Sequence, residues 1–221
     1  MSDTRELPLF PLNTVLFPGM TLPLHIFEER YKQMIAHCVK ESKPFGVVLI
    51  RDGEEVGTGA DIYDIGTTAH ITQVEQLPGG RLNIATLGYR RFKILDVQYD
   101  QPYLVGQVED FPLEDQEHPG IRQTAARMAP LLQTYLEIFA DLGKVELEVK
   151  EMPEDPVTLA FLTAIILRTP MKDKQDLLGY GDLLGLLRAE YRILHRESQI
   201  LRLLVDQGAR FRDDSAPFSI N

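Results

Sequence analysis

The chain has 221 residues, 44% hydrophobic and 25% charged, enough to bury a sizeable core without disulfides or metals. Thirty-three acidic against 23 basic residues give a formal charge of −10, a potential that repels phosphate backbones and sets nucleic-acid binding at a disadvantage. One cysteine, Cys38, excludes an internal disulfide and fits a reducing compartment. No apolar run approaches the ~20 residues of a membrane helix. The opening MSDTRELPLF lacks the basic and apolar regions of a signal peptide, so a cytoplasmic location without a membrane partner is expected.

Residues 7–31, LPLFPLNTVLFPGMTLPLHIFEERY, are nearly all apolar yet broken by Pro8, Pro11, Pro18 and Pro23. Proline cannot donate to a ladder, so short, bent, edge-type strands are expected. Pro18-Gly19 is a turn, with Gly19 at positive φ if the turn is type II. EERYKQMIAHCVKES reads as a helix whose apolar stripe is Tyr31, Met34, Ile35, Cys38 and Val39. His37 lies off that stripe, about 100° from Cys38, so the two do not converge on a metal.

PFGVVLI, residues 44–50, is short and continuously apolar, as a buried strand is, and RDGEEV follows as a turn. TGADIYDIG, TAHITQVEQL, RLNIATLGYRRFKILDVQY and PYLVGQVEDF read as successive strands, with a hairpin at Pro78-Gly79-Gly80 and a bulge or bend at Gly88. In Arg90-Arg91-Phe92-Lys93 the alternation turns Phe92 and Ile94 inward and Arg91 and Lys93 outward. Strands of this kind suit a twisted or partly closed antiparallel barrel.

Beyond the acidic PLEDQEHPG the texture becomes Leu-rich and periodic. A helix is expected over about 121–142, with Pro119 near its start, Gly143 after its end and a kink or break at Pro130. Asp155 is the expected N-cap of a second helix that opens on Pro156 and carries almost no charge from Val157 to Leu167, so most of its sides are buried. DKQDLLGYG is a short helix or turn. The last and longest helix carries the stripe Leu183, Leu184, Leu187, Tyr191, Leu194, Ser198, Leu201 and Val205, and Gly208 ends it. The class is therefore α+β: a β-rich part over 1–111, a linker over 112–120, a helical part over 121–208 and a tail over 209–221.

Catalytic patterns are missing. There is no G-x-x-x-x-G-K-[ST], G-x-S-x-G or H-E-x-x-H, and VGTGAD does not complete a G-x-G-x-x-G. The histidines at 25, 37, 70, 118 and 195 show no metal-ligand spacing. Ser42 and Lys43 are neighbours in a loop, which is no serine–lysine dyad, and Glu28-Glu29 and Glu54-Glu55 read as solvated pairs. No catalytic residue, cofactor or metal is expected.

The opening carries more than strand punctuation. Leu7, Pro8, Leu9, Pro11, Leu12, then Phe17-Pro18-Gly19, then Pro23, Leu24, Ile26, Phe27, Glu28, Arg30 and Tyr31 closely resemble the start of the Lon substrate-binding domain family. VGTGADI, LPGGRLNIATLGYRRFKI and MKDKQDLLGYGDLLGLL extend the resemblance over about Glu6 to Val205. Gly185-Leu186-Leu187 departs from it, in place of an Arg-Leu pattern. The resemblance implies a PUA-like antiparallel pseudo-barrel with one helix, followed by a helical bundle. It further implies a module that holds unfolded or exposed apolar polypeptide segments, with Lon protease itself as a partner. The nucleotide loop, the Ser–Lys dyad and the coiled-coil-like extension of full-length Lon are not in the sequence, so a standalone, non-enzymatic binder is expected. Glu28, Arg30, Tyr31, Arg90 and Arg91 are the candidate binding or structural residues. Two other readings stay open: a small-molecule sensor or unrecognised enzyme using a cleft between the two parts, and RNA binding through Arg81, Arg90, Arg91 and Lys93.

Overall fold

The computed structural model describes residues 4–52, 61–141 and 152–213. The expected RDGEEV turn, the start of VGTGADI, Glu54-Glu55, Gly143 and the last eight residues lie outside them. The elements are β1 (Arg5–Leu12), β2 (Thr21–Ile26), α1 (Glu29–Glu41), β3 (Phe45–Asp52), β4 (Asp61–Ile62), β5 (Ile65–Gln76), β6 (Leu82–Gln98) and β7 (Leu104–Asp110), then α2 (Gly120–Asp141), α3 (Pro156–Ile166), α4 (Met171–Leu178) and α5 (Leu183–Asp213). Among the described residues no helix is long and apolar enough to cross a membrane. The chain forms two compact units, Met1–Glu114 with Ala164–Asp182, and Asp115–Thr163 with Leu183–Asn221. The first unit thus includes α4, from the helical half of the sequence.

In the first unit, β1, β7, β6, β5 and β3 pair in that order, and β3 pairs back to β1, which closes a barrel. The closing pair is parallel, Leu9 to Leu12 against Gly46 to Leu49, while the other pairings are antiparallel. The first strand is therefore interior, contrary to the edge-type strand its prolines suggest. Its partner changes midway: Arg5–Leu9 pairs with β7 and Leu9–Leu12 with β3. Pro8 and Pro11 each sit where only one neighbour is paired, so neither interrupts a second ladder. Pro23 lies in β2, which pairs with β6 alone among the described residues.

Being buried on both faces, β1 and β3 divide their side chains between two cores by period-2 alternation. Leu7 and Leu9 join Val48, Phe92 and Val108 in one core. Phe10 and Leu12 join Phe45 and Val47 in the other, where Tyr31, Met34, Ile35 and Cys38 of α1 pack. Tyr31 stacks on Phe10 at 4.0 Å between ring centroids. Val39, expected in this stripe, is 48% exposed. It stands eight residues from Tyr31, about 80° around the helix, at the stripe's edge. Burial pushes the Cys38 thiol up to about 11, which makes it an unreactive core group.

Phe92 is fully buried, and the barrel gives it room at two glycines. A Cβ on Gly46 would lie 2.6 Å from Phe92 Cζ, and one on Gly66 would lie 2.7 Å from it. The Phe17–Met20 turn closes with Met20 N donating to Phe17 O and Gly19 at φ 81°, the type II geometry expected. This turn docks on Gly88, where a Cβ would collide with the Phe17 carbonyl oxygen. Just beyond, β6 bulges: Thr67 opposes Arg91 and Ala69 opposes Gly88. Thr68 Oγ1 fills the irregularity, accepting from Arg90 N and donating to Arg90 O.

In the second unit α2 and α5 pack together. The helix α2 continues through Pro130, so of the expected kink or break the break does not occur. Asp155 caps α3 as expected, its carboxylate accepting from Thr158 N at 2.8 Å and Thr158 Oγ1 at 2.6 Å, which holds it below its ordinary range. The helix α5 runs past Gly208 to Asp213, because glycine inside a helix costs only about 1 kcal/mol relative to alanine and does not end it alone. The stripe of α5 also differs at one position. Glu190, three residues after Leu187 and four before Leu194, is fully buried, while Tyr191 is half-buried. Neither Glu190 carboxyl oxygen has a hydrogen-bond partner among the described residues, and burial raises this carboxyl well above its ordinary range.

Two outcomes follow. Phe92→Ala leaves a void inside a closed barrel and is expected to cost about 3–5 kcal/mol, read from urea unfolding. Burial makes Glu190 hold its proton to higher pH in the folded chain than in the unfolded chain, which loses it above about pH 4.3, so this residue lowers stability as pH rises past that point. Glu190→Gln should therefore be the more stable protein at pH 8, with a flatter dependence of its urea midpoint between pH 5 and 8. A variant less stable than the parent at pH 8 would contradict the neutral, unpaired carboxyl.

Candidate functional site

The outward face of β2, β6 and β5 combines rigidity with exposed apolar area. Alternation turns Leu22, Leu24 and Ile26 of β2 toward the core, leaving Thr21, Pro23 and His25 outside, followed by Phe27. On β6 the outward residues are Asn83, Ala85, Leu87 and Tyr89. Register places Thr21 and His70 on either side of Leu87, Pro23 and Gln73 beside Ala85, and His25 and Glu75 beside Asn83. Phe27 is 52% exposed, Tyr89 55% and Leu87 37%. Polar partners rim and stiffen the face. His25 Nδ1 and Asn83 Oδ1 are 2.8 Å apart, Asn83 Nδ2 donates to Glu75 Oε2, and His70 meets Tyr89 edge-on at 5.3 Å. Leu87 and Tyr89, two residues apart on β6, and Phe27 at the other end of the face are exposed apolar side chains of the kind that marks an interaction surface.

The candidates from sequence fall in three places. Glu28 and Arg30 form a local ion pair at the start of α1, with Glu28 Oε2 2.9 Å from Arg30 Nη2, next to Phe27 in the chain. The Arg30 guanidinium lies 4.5 Å over the Tyr31 ring, whose side chain is core. Arg90 is exposed, 3.4 Å from Asp110 and over the Tyr89 ring at 5.1 Å, which attaches it to the outward face.

Arg91 is expected outside and is instead only 4% exposed. Its side chain does leave the face opposite Phe92, but residues 178–180 cover it there. Arg91 Nη1 donates to the carbonyl oxygens of Leu178 and Tyr180, both at 2.6 Å, and the guanidinium stacks on Phe111 at 4.7 Å. Burial pulls it down to about 10, so it stays charged at neutral pH. Alongside, Gln175 of α4 donates from Nε2 to Ile65 O at 2.9 Å, and Glu114 N donates to Gly181 O at 2.7 Å. These bonds build α4 onto the barrel. The Arg90–Lys93 cluster thereby loses a member as an exposed basic patch. Leu87 and Tyr89 were not singled out from sequence, and Phe27 only as one residue of the family pattern; the phase of alternation along β6, with Ile84 and Thr86 inward, is the signal that marks Leu87.

A barrel closed by its first strand and strapped by one helix, in a chain that also has a helical unit, is the α+β fold of known Lon N-terminal domains. The chain belongs to the family of the ATP-dependent protease La (LON) substrate-binding domain, whose sequence profile matches residues 6–196. It is 29% identical over 202 residues to Lon protease of Anaeromyxobacter dehalogenans, covering 89% of this chain and 24% of that protein. It is also 29% identical over 204 residues to Lon protease 2 of Myxococcus xanthus, covering 90% and 24%. The chain thus spans about a quarter of the length of these curated relatives. The crystal structure of a Lon N-terminal domain protein from Xanthomonas campestris superposes with a TM-score of 0.63 at 25% identity, covering 83% of this chain and 95% of that one. The N-terminal domain of Mycobacterium avium complex Lon protease shares the fold, with a TM-score of 0.67 at 20% identity over 86% and 98%.

The buried arginine is expected to be structural. Arg91→Leu strips the Leu178 and Tyr180 carbonyls of a charged donor and should cost about 3 kcal/mol. Arg90→Ala should leave the unfolding midpoint where it is. Differential scanning calorimetry of the two variants checks the contrast, and equal effects would contradict it.

Proposed function

We propose that the chain is a non-catalytic substrate-recognition module that binds unfolded or exposed apolar polypeptide segments on the outward face of β2, β6 and β5. The observation that carries this reading is the exposure of Leu87 and Tyr89 on β6 and of Phe27 just past the end of β2, with polar groups between them. Full burial of such a side chain is worth about 1.5–3 kcal/mol, so covering the exposed half of each contributes about 1 kcal/mol. Three contacts of this size give weak, reversible capture, which suits a module that passes substrates on. The free edge of β2 is a poorer alternative, because Pro23 interrupts its ladder. Family membership supports a role in proteolysis, and a chain of this kind acts as an adaptor that supplies Lon protease with polypeptides.

Fluorescence anisotropy with a reduced, alkylated polypeptide that cannot refold tests the reading. The parent chain should bind it, and Leu87→Asp with Tyr89→Asp should weaken binding more than tenfold while leaving the far-ultraviolet circular dichroism intact. No binding by the parent sinks the reading, and undiminished binding by the double variant removes this face from it. The adaptor role predicts that adding the chain changes the rate at which a Lon protease degrades the same polypeptide; an unchanged rate removes that role.

A further inference from the structure

The helical unit carries a groove of about 520 Å³ between the first half of α2 and the first third of α5. Arg127 enters it from α2, Arg188 and Arg192 from α5, together with Gln123, Thr124 and Tyr191, and no carboxylate lines it among the described residues. The three arginines are exposed, and none of them forms an ion pair among the described residues. Three guanidinium groups with no ion pair among the described residues stand out in one concavity of a chain of net charge −10. Two of them are held in place: Arg127 Nη2 donates to Tyr191 Oη at 3.2 Å while lying 5.0 Å over its ring, and Arg192 Nε donates to Arg188 O at 3.3 Å.

We propose that this groove binds the carboxylates of an acidic stretch in a polypeptide. The proposal rests on the reading that the chain binds polypeptides, and adds that the helical unit selects among them by charge. Geometry favours this anion. Arg188 and Arg192 are one helical turn apart, about 6 Å along the axis. In an extended peptide, alternate residues put side chains on one side about 6.7 Å apart, so two acidic residues separated by one other meet the two arginines in step. Guanidinium forks pair with carboxylates through two parallel hydrogen bonds. Nucleic acid fits less well. The Tyr191 ring, which a base would stack on, is already covered by Arg127, and a long polyphosphate backbone extends into the field of an acidic protein.

The test uses a labelled eight-residue peptide of alternating Glu and Ala, its Gln–Ala counterpart, and the full chain with Arg188→Gln and Arg192→Gln. The substituted residues are exposed, so the fold should be retained, as circular dichroism will report. Expected are binding of the Glu peptide that weakens with salt, at least tenfold weaker binding of the Gln peptide, and at least tenfold loss of Glu-peptide binding in the double variant. Binding of the reduced, alkylated polypeptide described above, used in a form without acidic residues, should be unchanged by that variant. Equal affinity for the Glu and Gln peptides overturns the proposal, as does a double variant that binds like the parent. A single-stranded oligonucleotide that displaces the peptide at lower concentration than the peptide itself reassigns the groove to nucleic acid. If the apolar polypeptide binds and the Glu peptide does not, only this inference fails; if neither binds, the broader reading fails with it.

Discussion

Parallel pairing of β1 with β3 turns a meander into a ring. Without it, β1 would be an edge of an open sheet, with the backbone groups of Leu9–Leu12 left unpaired on the side that now meets β3. With it, alternate residues of the same strands supply two cores, one inside the barrel and one under α1. Phe92 occupies the first core, and Gly46 and Gly66 are small because the ring passes so close to it. Tyr31 and the rest of the α1 stripe depend on Phe10 and Phe45 being presented from the opposite side. The rigid outward face of β2, β6 and β5 is the solvent side of that same construction.

Local chemistry in the sequence was readable where one residue type has one physical use. Pro18-Gly19 made its type II turn, Asp155 capped α3, and the apolar stripe of α1 up to Cys38 faced the core. What the sequence could not disclose were partners distant in the chain. Prolines in β1 argued for an edge because the change of partner at Leu9 is a tertiary arrangement. Strand alternation sent Arg91 correctly to the face away from Phe92, but a segment almost ninety residues later covers that face. Glu190 stayed unnoticed because a carboxylate is seldom a core residue, and only its spacing from Leu187 and Leu194 hinted otherwise.

The same distinction governs the candidate surfaces. Of the residues that identify the family, Leu7, Leu9 and Tyr31 are consumed by the two cores, while Phe27 stays exposed. Phe27, Leu87 and Tyr89 and the arginines of the helical groove sit at positions where folding leaves the side chain exposed to solvent. The two surfaces differ in chemistry, one apolar and aromatic, the other cationic, and each belongs to a unit that builds it from its own elements.

The clamp of Arg91 on Leu178 and Tyr180 has a bearing on how the molecule is made. The first unit borrows residues 164–182 from beyond most of the second, so it is discontinuous in the chain. During synthesis the barrel strands are delivered by about Glu114, yet the guanidinium of Arg91 has no carbonyls to meet until Tyr180 has left the ribosome. In the interval a buried-to-be charge and the neighbouring Ile65 carbonyl stay hydrated, and the barrel lacks its closing piece. A fragment cut at the linker would carry that unfinished surface permanently, so the order of the sequence ties completion of the barrel to synthesis of the helices.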